Sequence, residues 1–335
     1  MAEALLDVVG IGNAIVDVLA HAEEPFLAKH GLRKGAMTLI DAERAEALYA
    51  AMGPAVEVSG GSAANTIAGV ASFKGRAGYI GKIGRDALGR IFAHDIRAAG
   101  VAFDTPPVDS GTPTARSFIF VTPDAQRTMN TYLGACVELG PADIDPALVL
   151  GSRVTYLEGY LFDPPAAKEA FIKAARIAHE GGRKVALTLS DPFCVDRHRA
   201  AFRDLLREHV DILFANEAEI CSLWQVDDFD QALRQTRGAC ELAALTRSAR
   251  GSLVLAGEET HAVDAAPVAR VVDTTGAGDL YAAGFLFGYC RGRPPGDCGR
   301  LGAIAAAEII SHFGARPETP LAGLLPGAAA IETQT

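Results

Sequence analysis

The chain lacks the basic surplus that marks nucleic-acid-binding and membrane-binding proteins. Its 31 lysines and arginines face 41 aspartates and glutamates, which gives a net charge of −10. A broad anionic partner surface needs a footprint of lysine and arginine, so we expect neither a nucleic acid nor a membrane as partner. A small anionic substrate stays compatible with this charge, because a few local cations and helix N-termini suffice to bind it.

The chain also lacks cysteine pairs and long apolar runs, and its first residues do not have the pattern of a secretion signal. Its six cysteines form no CxxC pair, which argues against zinc ribbons and thioredoxin-like sites and favours free thiols. No apolar stretch reaches about 18 residues without a charge or a break, so no membrane span is expected. The first residues, MAEALLDVVGIGN, are acidic and lack the basic region of a secretion signal. Together these absences predict a cytoplasmic protein.

Two nucleotide-binding fingerprints are missing as well. The segment Gly10-Ile-Gly12 follows an apolar strand, but Ile15 stands where a dinucleotide-binding fingerprint needs its third glycine. Around Gly81-Lys82-Ile83 a phosphate-binding P-loop would need an upstream glycine and a Ser or Thr after the lysine. A nicotinamide-dependent dehydrogenase is therefore excluded, and any ATP must be bound without a P-loop.

What is present is an alternation of strands and helices. From Val154 onward, short apolar runs alternate with amphipathic helical segments, which predicts a mostly parallel sheet with helices on both faces. Nearer the N-terminus, Ser117–Val121 and Thr128–Leu133 flank a turn and predict a hairpin. Met37–Ile40 adds a further strand. We expect these pieces to form a small β layer that acts as a lid over the strand ends.

One segment combines glycines with a carboxylate at the start of a helix. In Asp273-Thr-Thr-Gly276-Ala-Gly278-Asp279, small residues let backbone N–H groups converge at a helix N-terminus. Such a terminus binds phosphate oxygens and stabilises developing negative charge. The helix dipole favours the ionised form of Asp279, which can then accept a proton. Taken alone, the same segment is also compatible with an ordinary turn that carries a surface aspartate.

Three further segments agree with the catalytic interpretation and carry a family resemblance. Val272–Gly284 resembles the C-terminal signature of the ribokinase-like (PfkB) family of carbohydrate and nucleoside kinases. The stretch from Gly60 to Asp86 resembles the N-terminal signature of that family. Asn216-Glu-Ala-Glu219 matches its N-x-x-E motif, although alone it would be an ordinary helix start. Leu245–Gly251 is similar to its nucleotide-binding strand and loop.

The resemblance implies a fold and a reaction. The expected fold is a three-layer α/β/α sandwich with a mostly parallel sheet, as one kinase domain over residues 1–335. A discontinuous β lid is expected within 13–60 and 101–134. The implied reaction is phosphoryl transfer to an alcohol with ATP as donor and Mg²⁺ as cofactor, by a monomer or homodimer that binds small molecules.

The resemblance also assigns residues to roles. Asp279 is the base that takes the proton of the acceptor hydroxyl. The anion hole at the helix start is formed by Gly276, Ala277 and Gly278. Asn216 and Glu219 hold Mg²⁺ through water. Further nucleotide contacts are assigned to Asn216, Thr246, Gly251 and Gly278. Asp273 and Thr275 match positions that bind a monovalent cation such as K⁺ in several relatives.

The segments that would select the substrate resemble adenosine kinases. In Gly12–Asp17, Asn13 and Asp17 match residues that hold ribose hydroxyls there. The acceptor site is completed by Gly60, Gly61, Ser62 and Asn65. Arg127 matches an arginine that reaches the transferred phosphate, although a solvated edge position fits it equally. Asp191 departs from the small residue typical of adenosine kinases at its position.

The sequence thus predicts an ATP-dependent kinase that phosphorylates the 5′-hydroxyl of adenosine. Two alternatives stay open at this stage. One is a sugar kinase of the same family that acts on ribose, fructose or a keto-sugar acid. The other is a nucleotide-sensing module without catalysis, which would have no need of the base Asp279.

Overall fold

The structure is a computed structural model, and it describes residues 5–124 and 126–325. Within these residues its strands are β1 (Leu6–Ile11), β2 (Ile15–His21), β3 (Met37–Leu39), β4 (Val56–Ser59), β5 (Ala77–Ile80), β6 (Val101–Phe103), β7 (Ala115–Val121), β8 (Arg127–Tyr132), β9 (Ser152–Glu158), β10 (Lys184–Thr188), β11 (Ile212–Asn216), β12 (Leu242–Thr246), β13 (Ser252–Ala256) and β14 (Glu259–Val263). Its α-helices are α1 (Glu24–Lys29), α2 (Ala42–Ala51), α3 (Ser62–Ser72), α4 (Ala87–Ala98), α5 (Pro146–Leu150), α6 (Pro165–Glu180), α7 (Pro192–His209), α8 (Glu217–Trp224), α9 (Phe229–Thr236), α10 (Ala277–Cys290) and α11 (Pro295–Ile309).

The larger of two sheets has the strand order β14-β13-β12-β11-β10-β9-β1-β5-β6. Neighbouring strands from β12 to β6 are parallel, whereas β13 and β14 run antiparallel. Parallel strands place their carboxyl ends at one edge, so the segments that follow β1, β9, β10, β11 and β12 meet there. This edge carries the candidate site.

Helices cover both faces of the large sheet. Side chains of α3, α4, α10 and α11 form one core with the strands, and those of α6 to α9 form a second. Successive strand residues point to opposite faces, so Val8 of β1 lies in the first core and Val9 in the second. The three-layer α/β/α sandwich predicted from the sequence is therefore confirmed.

The second, smaller sheet has the strand order β3-β8-β7-β2-β4. The predicted hairpin is confirmed, since β7 and β8 pair antiparallel. Helices α1 and α2 cover one face, where Leu27 and Leu48 share a core with Phe118 and Phe120. The strands of this sheet lie within 15–59 and 115–132, whereas β6 at the start of the expected second lid range pairs with β5 in the large sheet.

Helix α7 begins at Pro192, where the Asp191 side chain caps it by accepting a hydrogen bond from the Cys194 amide at 2.6 Å. The backbone at His198 is not helical, so α7 consists of two helical parts joined at a kink. All six cysteines are free, as expected. No helix within 5–124 and 126–325 has the length and apolar character needed to cross a membrane.

Small residues let α3 and α10 pack in close contact. A methyl group at Gly69 of α3 would lie 2.6 Å from the Cβ of Ala283 in α10, so only glycine fits there. Both helices begin at the carboxyl edge of the large sheet. Their close packing brings the first turn of α3 beside the first turn of α10, and this juxtaposition builds the candidate site.

Candidate active site

The Asp279 carboxylate lies in the first turn of α10 and is held by the first turn of α3. It accepts hydrogen bonds from Ser62 Oγ at 2.6 Å and from Asn65 Nδ2 at 3.0 Å. Burial raises the pKa of Asp279, while the bonds from Ser62 and Asn65 oppose that rise. The expectation from the helix dipole, which favours the ionised form of Asp279, is thus incomplete, because it leaves out the opposing effect of burial. A raised pKa makes the carboxylate a stronger base.

The backbone at the start of α10 has the form expected of an anion site. Gly276 precedes the helix with φ 76°, a left-handed conformation that glycine adopts without strain. Ala277 and Gly278 follow in the first turn, where backbone N–H groups have no partner within the helix; the Ala277 amide makes a long bond of 3.3 Å to the carbonyl oxygen of Thr274 in the preceding turn. A Cβ placed on Gly278 would meet no atom within 4 Å, so the space beside this turn is open.

Asp17 of β2 lies directly against the turn that leads into α3. A Cβ at Gly60 would lie 2.3 Å from Asp17 Oδ2, and one at Gly61 would lie 2.3 Å from the carbonyl oxygen of Asn13. Burial raises the pKa of Asp17 to about 7, against the opposing charges of Arg127 and Arg316. The structure therefore brings together the acceptor-site residues expected from the sequence.

Asn13 follows β1 and is buried against a carboxylate that sequence reasoning missed. Glu158, the last residue of β9, accepts hydrogen bonds from Asn13 Nδ2 at 2.6 Å and from the Asn13 amide at 3.2 Å. It also accepts one from the amide of Ala63 at 2.8 Å. A charged residue at the end of the apolar strand Val154–Leu157 was the available signal for Glu158.

Arg316 is a second residue that sequence reasoning missed. It donates hydrogen bonds to the carbonyl oxygens of Ser59 and Ala64, at 3.1 and 2.8 Å, and thereby joins the end of β4 to α3. Burial lowers the pKa of Arg316 to about 10, so it remains charged at neutral pH. Because it lies in an irregular segment after α11, no periodic pattern singles it out.

Arg127 of β8 contacts Asp273 in this arrangement. Its Nη1 lies 3.0 Å from Asp273 Oδ1, and its guanidinium packs over the Phe313 ring. The same carboxylate accepts hydrogen bonds from the amides of Thr275 and Gly314, both at 3.0 Å. Asp273 thus has an arginine as partner in this structure, and the monovalent-cation role that the resemblance implies for Asp273 and Thr275 stays a prediction.

The residues expected to contact nucleotide lie together at the carboxyl edge of the large sheet. Asn216 and Thr246 are directly paired between β11 and β12, and Gly251 immediately precedes β13. Asn216 and Glu219 form a capping box, in which Asn216 Oδ1 accepts from the Glu219 amide at 2.9 Å. Burial raises the pKa of Glu219 to about 7, and the charges of Asp191 and Asp279 add to this rise.

A cavity of about 370 Å³ opens between the small sheet and the segment after α11. Its walls include Asp17, Val58, Arg127, Thr275 and Arg316. Its volume suits a small molecule, and it combines apolar walls with a few polar groups, as ligand pockets do. Among the lining residues, Arg127 and Arg316 offset Asp17 and Glu318, so the charges of this wall nearly cancel.

The fold and the site together define a class of protein. A three-layer α/β/α sandwich carries a second, smaller sheet, and a carboxylate lies at an open helix N-terminus beside a small-molecule cavity. This combination is that of ribokinase-like kinases, which the sequence motifs also resemble.

Comparison with known proteins gives the family. The model of the pfkB family of carbohydrate kinases matches residues 37–321, so the chain belongs to this family and is a phosphotransferase with an alcohol group as acceptor. The adenosine kinase of Sinorhizobium meliloti is 56% identical, with 99% of this chain and 100% of that chain covered and a TM-score of 0.91. A probable sugar kinase from Rhizobium etli is 53% identical, with 98% of both chains covered and a TM-score of 0.91. The adenosine kinase of Saccharomyces cerevisiae is 26% identical over 91% of this chain and 94% of its own length.

Proposed function

We propose that this protein is an adenosine kinase, which transfers the γ-phosphate of ATP to the 5′-hydroxyl of adenosine and releases AMP and ADP. The observation that carries the proposal is the placement of Asp279 at the open start of α10, held by Ser62 and Asn65. The similarity to the adenosine kinases of Sinorhizobium meliloti and Saccharomyces cerevisiae supports the choice of acceptor.

In the proposed reaction, Asp279 accepts the proton of the acceptor hydroxyl as the new oxygen–phosphorus bond forms. Its raised pKa suits this step, because a base is most effective when its pKa lies near the working pH. The backbone N–H groups of Ala277 and Gly278 stabilise the charge on the transferred phosphoryl group. Positioning and charge neutralisation then account for most of the catalysis.

The acceptor is proposed to lie in the cavity beside Asp17, with the small sheet as its lid. An ionised carboxylate accepts two hydrogen bonds from vicinal hydroxyls, which both a nucleoside and a free sugar provide. Leu19, Val56 and Val58 of the small sheet form apolar parts of the cavity wall, and we propose that they offer burial to a flat base. The nearly balanced charge of the cavity wall favours a neutral acceptor over a sugar acid.

The carboxyl edge near β11 and β12 is proposed to hold the nucleotide, through Asn216, Thr246 and Gly251. When bound there, Mg²⁺ would neutralise charge on the phosphates. Within residues 5–124 and 126–325 no three side chains of His, Cys, Asp or Glu are grouped to hold a metal. This is compatible with Mg²⁺, which keeps several waters and needs few protein ligands. Glu219, ordered by its bonds with Asn216, fits such a water-mediated role.

Replacing Glu219 with glutamine is expected to raise the Mg²⁺ concentration needed for half-maximal activity. Loss of the negative charge weakens the hold on the hydrated ion without removing the pocket. The measurement is a Mg²⁺ titration of ADP release at saturating substrates. Glu217→Gln on the same helix turn is the matched control, because Glu217 pairs with Arg250 instead. An unchanged titration for Glu219→Gln would leave the motif with only its capping role.

A sugar kinase is the second candidate, because the probable sugar kinase from Rhizobium etli is about as similar as the Sinorhizobium enzyme. The deciding experiment measures ADP release across adenosine, other nucleosides, ribose, fructose and a keto-sugar acid. If turnover is fastest with adenosine, the proposal is supported. If turnover is fastest with a sugar, the protein is a sugar kinase instead. Absence of turnover with every acceptor, together with ATP binding, would favour the nucleotide-sensing alternative.

A further inference from the structure

Glu158 is a buried carboxylate that the proposed reaction does not use. Its side chain is 1% exposed, at the point where β9 ends under the candidate site. Within the described residues no lysine, arginine or histidine forms an ion pair with it, and its hydrogen bonds come from N–H groups of Asn13 and Ala63. Burying a carboxylate is costly, and these N–H donors offset only part of that cost, because burial still raises the pKa of Glu158.

The backbone around Glu158 leaves room for this contact. A Cβ at Gly12 would lie 2.4 Å from Glu158 Oε2 and 2.7 Å from the Cβ of Ala63. The end of β1, the end of β9 and the first turn of α3 therefore meet at one carboxylate. Burial raises the pKa of Glu158 to about 7, and the bonds from Ala63 and Asn13 oppose the rise.

The chemistry of the carboxylate fixes the orientation of Asn13. Both Glu158 oxygens accept hydrogen bonds from N–H donors, so the Asn13 amide presents its NH₂ group to Glu158 and its oxygen Oδ1 elsewhere. The bond to the Ala63 amide fixes the same turn of α3 that carries Ser62 and Asn65, the two residues that hold Asp279. Glu158 thus contacts both Asn13 and the first turn of α3, the two parts of the acceptor site that follow β1 and β4.

We propose that Glu158 is a positioning residue for the acceptor, because it orients the Asn13 side chain and the first turn of α3 toward the hydroxyl groups. This inference rests on the proposed kinase reaction but not on adenosine as the acceptor. Glu158 acts through Asn13 and Ala63 and contacts no reacting atom. Loss of the Glu158 carboxylate should therefore weaken binding of the acceptor more than binding of the nucleotide.

The test is Glu158→Gln, which keeps the size of the side chain. Glutamine offers one acceptor oxygen and one NH₂ donor, so its NH₂ group must face a donor at Asn13 or at Ala63. We expect the KM for the acceptor to rise roughly tenfold, since a hydrogen bond to a charged group is lost. The KM for ATP should stay unchanged. The acceptor used is whichever compound the wild-type protein phosphorylates fastest, so a wrong assignment of adenosine does not affect the result.

Asp7→Asn is the matched control. Asp7 is a buried carboxylate at the other end of β1, where it accepts a hydrogen bond from the Arg76 amide at 2.8 Å. This variant should lower the melting temperature and leave both KM values unchanged. If Glu158→Gln lowers the melting temperature with no change in the acceptor KM, or raises both KM values equally, the positioning role is wrong.

Asn13→Ala keeps the proposal testable where Glu158→Gln fails to fold. It should reproduce the rise in the acceptor KM, and an unchanged acceptor KM in this variant overturns the proposal. Where all variants fold, the double variant should cost less than the sum of the two single changes, because both act through one contact. Additive effects would show that Glu158 and Asn13 act separately, against the proposal.

Discussion

Replacing Asp279 with asparagine is expected to lower turnover by roughly 10²–10⁴-fold, the usual contribution of a positioned general base. Asparagine keeps the size of the side chain, and its single oxygen can accept the hydrogen bond of Asn65 while its NH₂ group faces the Ser62 hydroxyl, which can also accept. It cannot take a proton. Nucleotide binding should survive, because the anion site at Gly276–Gly278 is formed by the backbone. The measurements are kcat from ADP release and the Kd of ATP by calorimetry.

Ser62→Ala is the companion variant for this prediction. The hydroxyl of Ser62 stabilises ionised Asp279, so its removal should raise the pKa of that carboxyl further. Since the base must be ionised to accept a proton, the acidic limb of the kcat/KM profile should move to higher pH. If Asp279→Asn keeps more than about a tenth of the wild-type turnover, Asp279 is not the base.

The layered fold was predictable from the sequence because it follows from local patterns. Apolar strands that alternate with amphipathic helices after Val154 leave few arrangements other than a parallel sheet covered on both sides. The strands β2 and β4 were not predicted, because their sequences lack a clear local pattern. In β2, Asp17 and His21 interrupt the apolar pattern, and Val56–Ser59 is too short to show one.

The predictable part of the site was the part encoded in contiguous motifs. Gly276–Asp279 and Gly60–Asn65 each contain a turn, a helix start and a polar side chain within a few residues. The structure adds that the two helices meet through Gly69 and Ala283, which no single motif reveals. Asp191, the departure from adenosine kinases, has a local explanation because it caps α7.

The unpredicted part depends on long-range contacts. Glu158 is separated by 145 residues from Asn13, and Arg316 by 257 residues from Ser59. The partner of Arg127 also follows from tertiary packing, since Asp273 is 146 residues away. Which charges meet inside a fold depends on how its layers pack, and a single sequence does not specify that packing locally.

Replacing Asp17 with alanine is the second large effect that we expect, and it bears on the acceptor. If the carboxylate accepts hydrogen bonds from two hydroxyls, its loss should cost about 2–5 kcal/mol in kcat/KM, because a charge-assisted bidentate contact disappears. Binding of ATP should be little affected. Asp17→Asn, which keeps the shape but loses the charge, should fall between the wild type and Asp17→Ala.

The protonation of Asp17 gives this prediction a pH dependence. Burial raises its pKa to about 7, and only the ionised form can accept from two hydroxyls at once. The acceptor KM of the wild type should therefore fall as the pH rises through about 7. In Asp17→Asn this dependence should vanish. An acceptor KM that changes equally with pH in both proteins would assign the titration to another group.

The same residue cannot separate a nucleoside from a sugar, because both offer vicinal hydroxyls. The separation comes from adenosine, 2′-deoxyadenosine, ribose and fructose tested on the wild type. A nucleoside kinase should use adenosine well, deoxyadenosine poorly and ribose hardly at all, because the base adds apolar burial against the small sheet. Deoxyadenosine lacks one of the hydroxyls that Asp17 would bind, so its penalty should shrink in Asp17→Ala. If ribose or fructose turns over faster than adenosine, the acceptor is a sugar and the apolar face of the small sheet has another purpose.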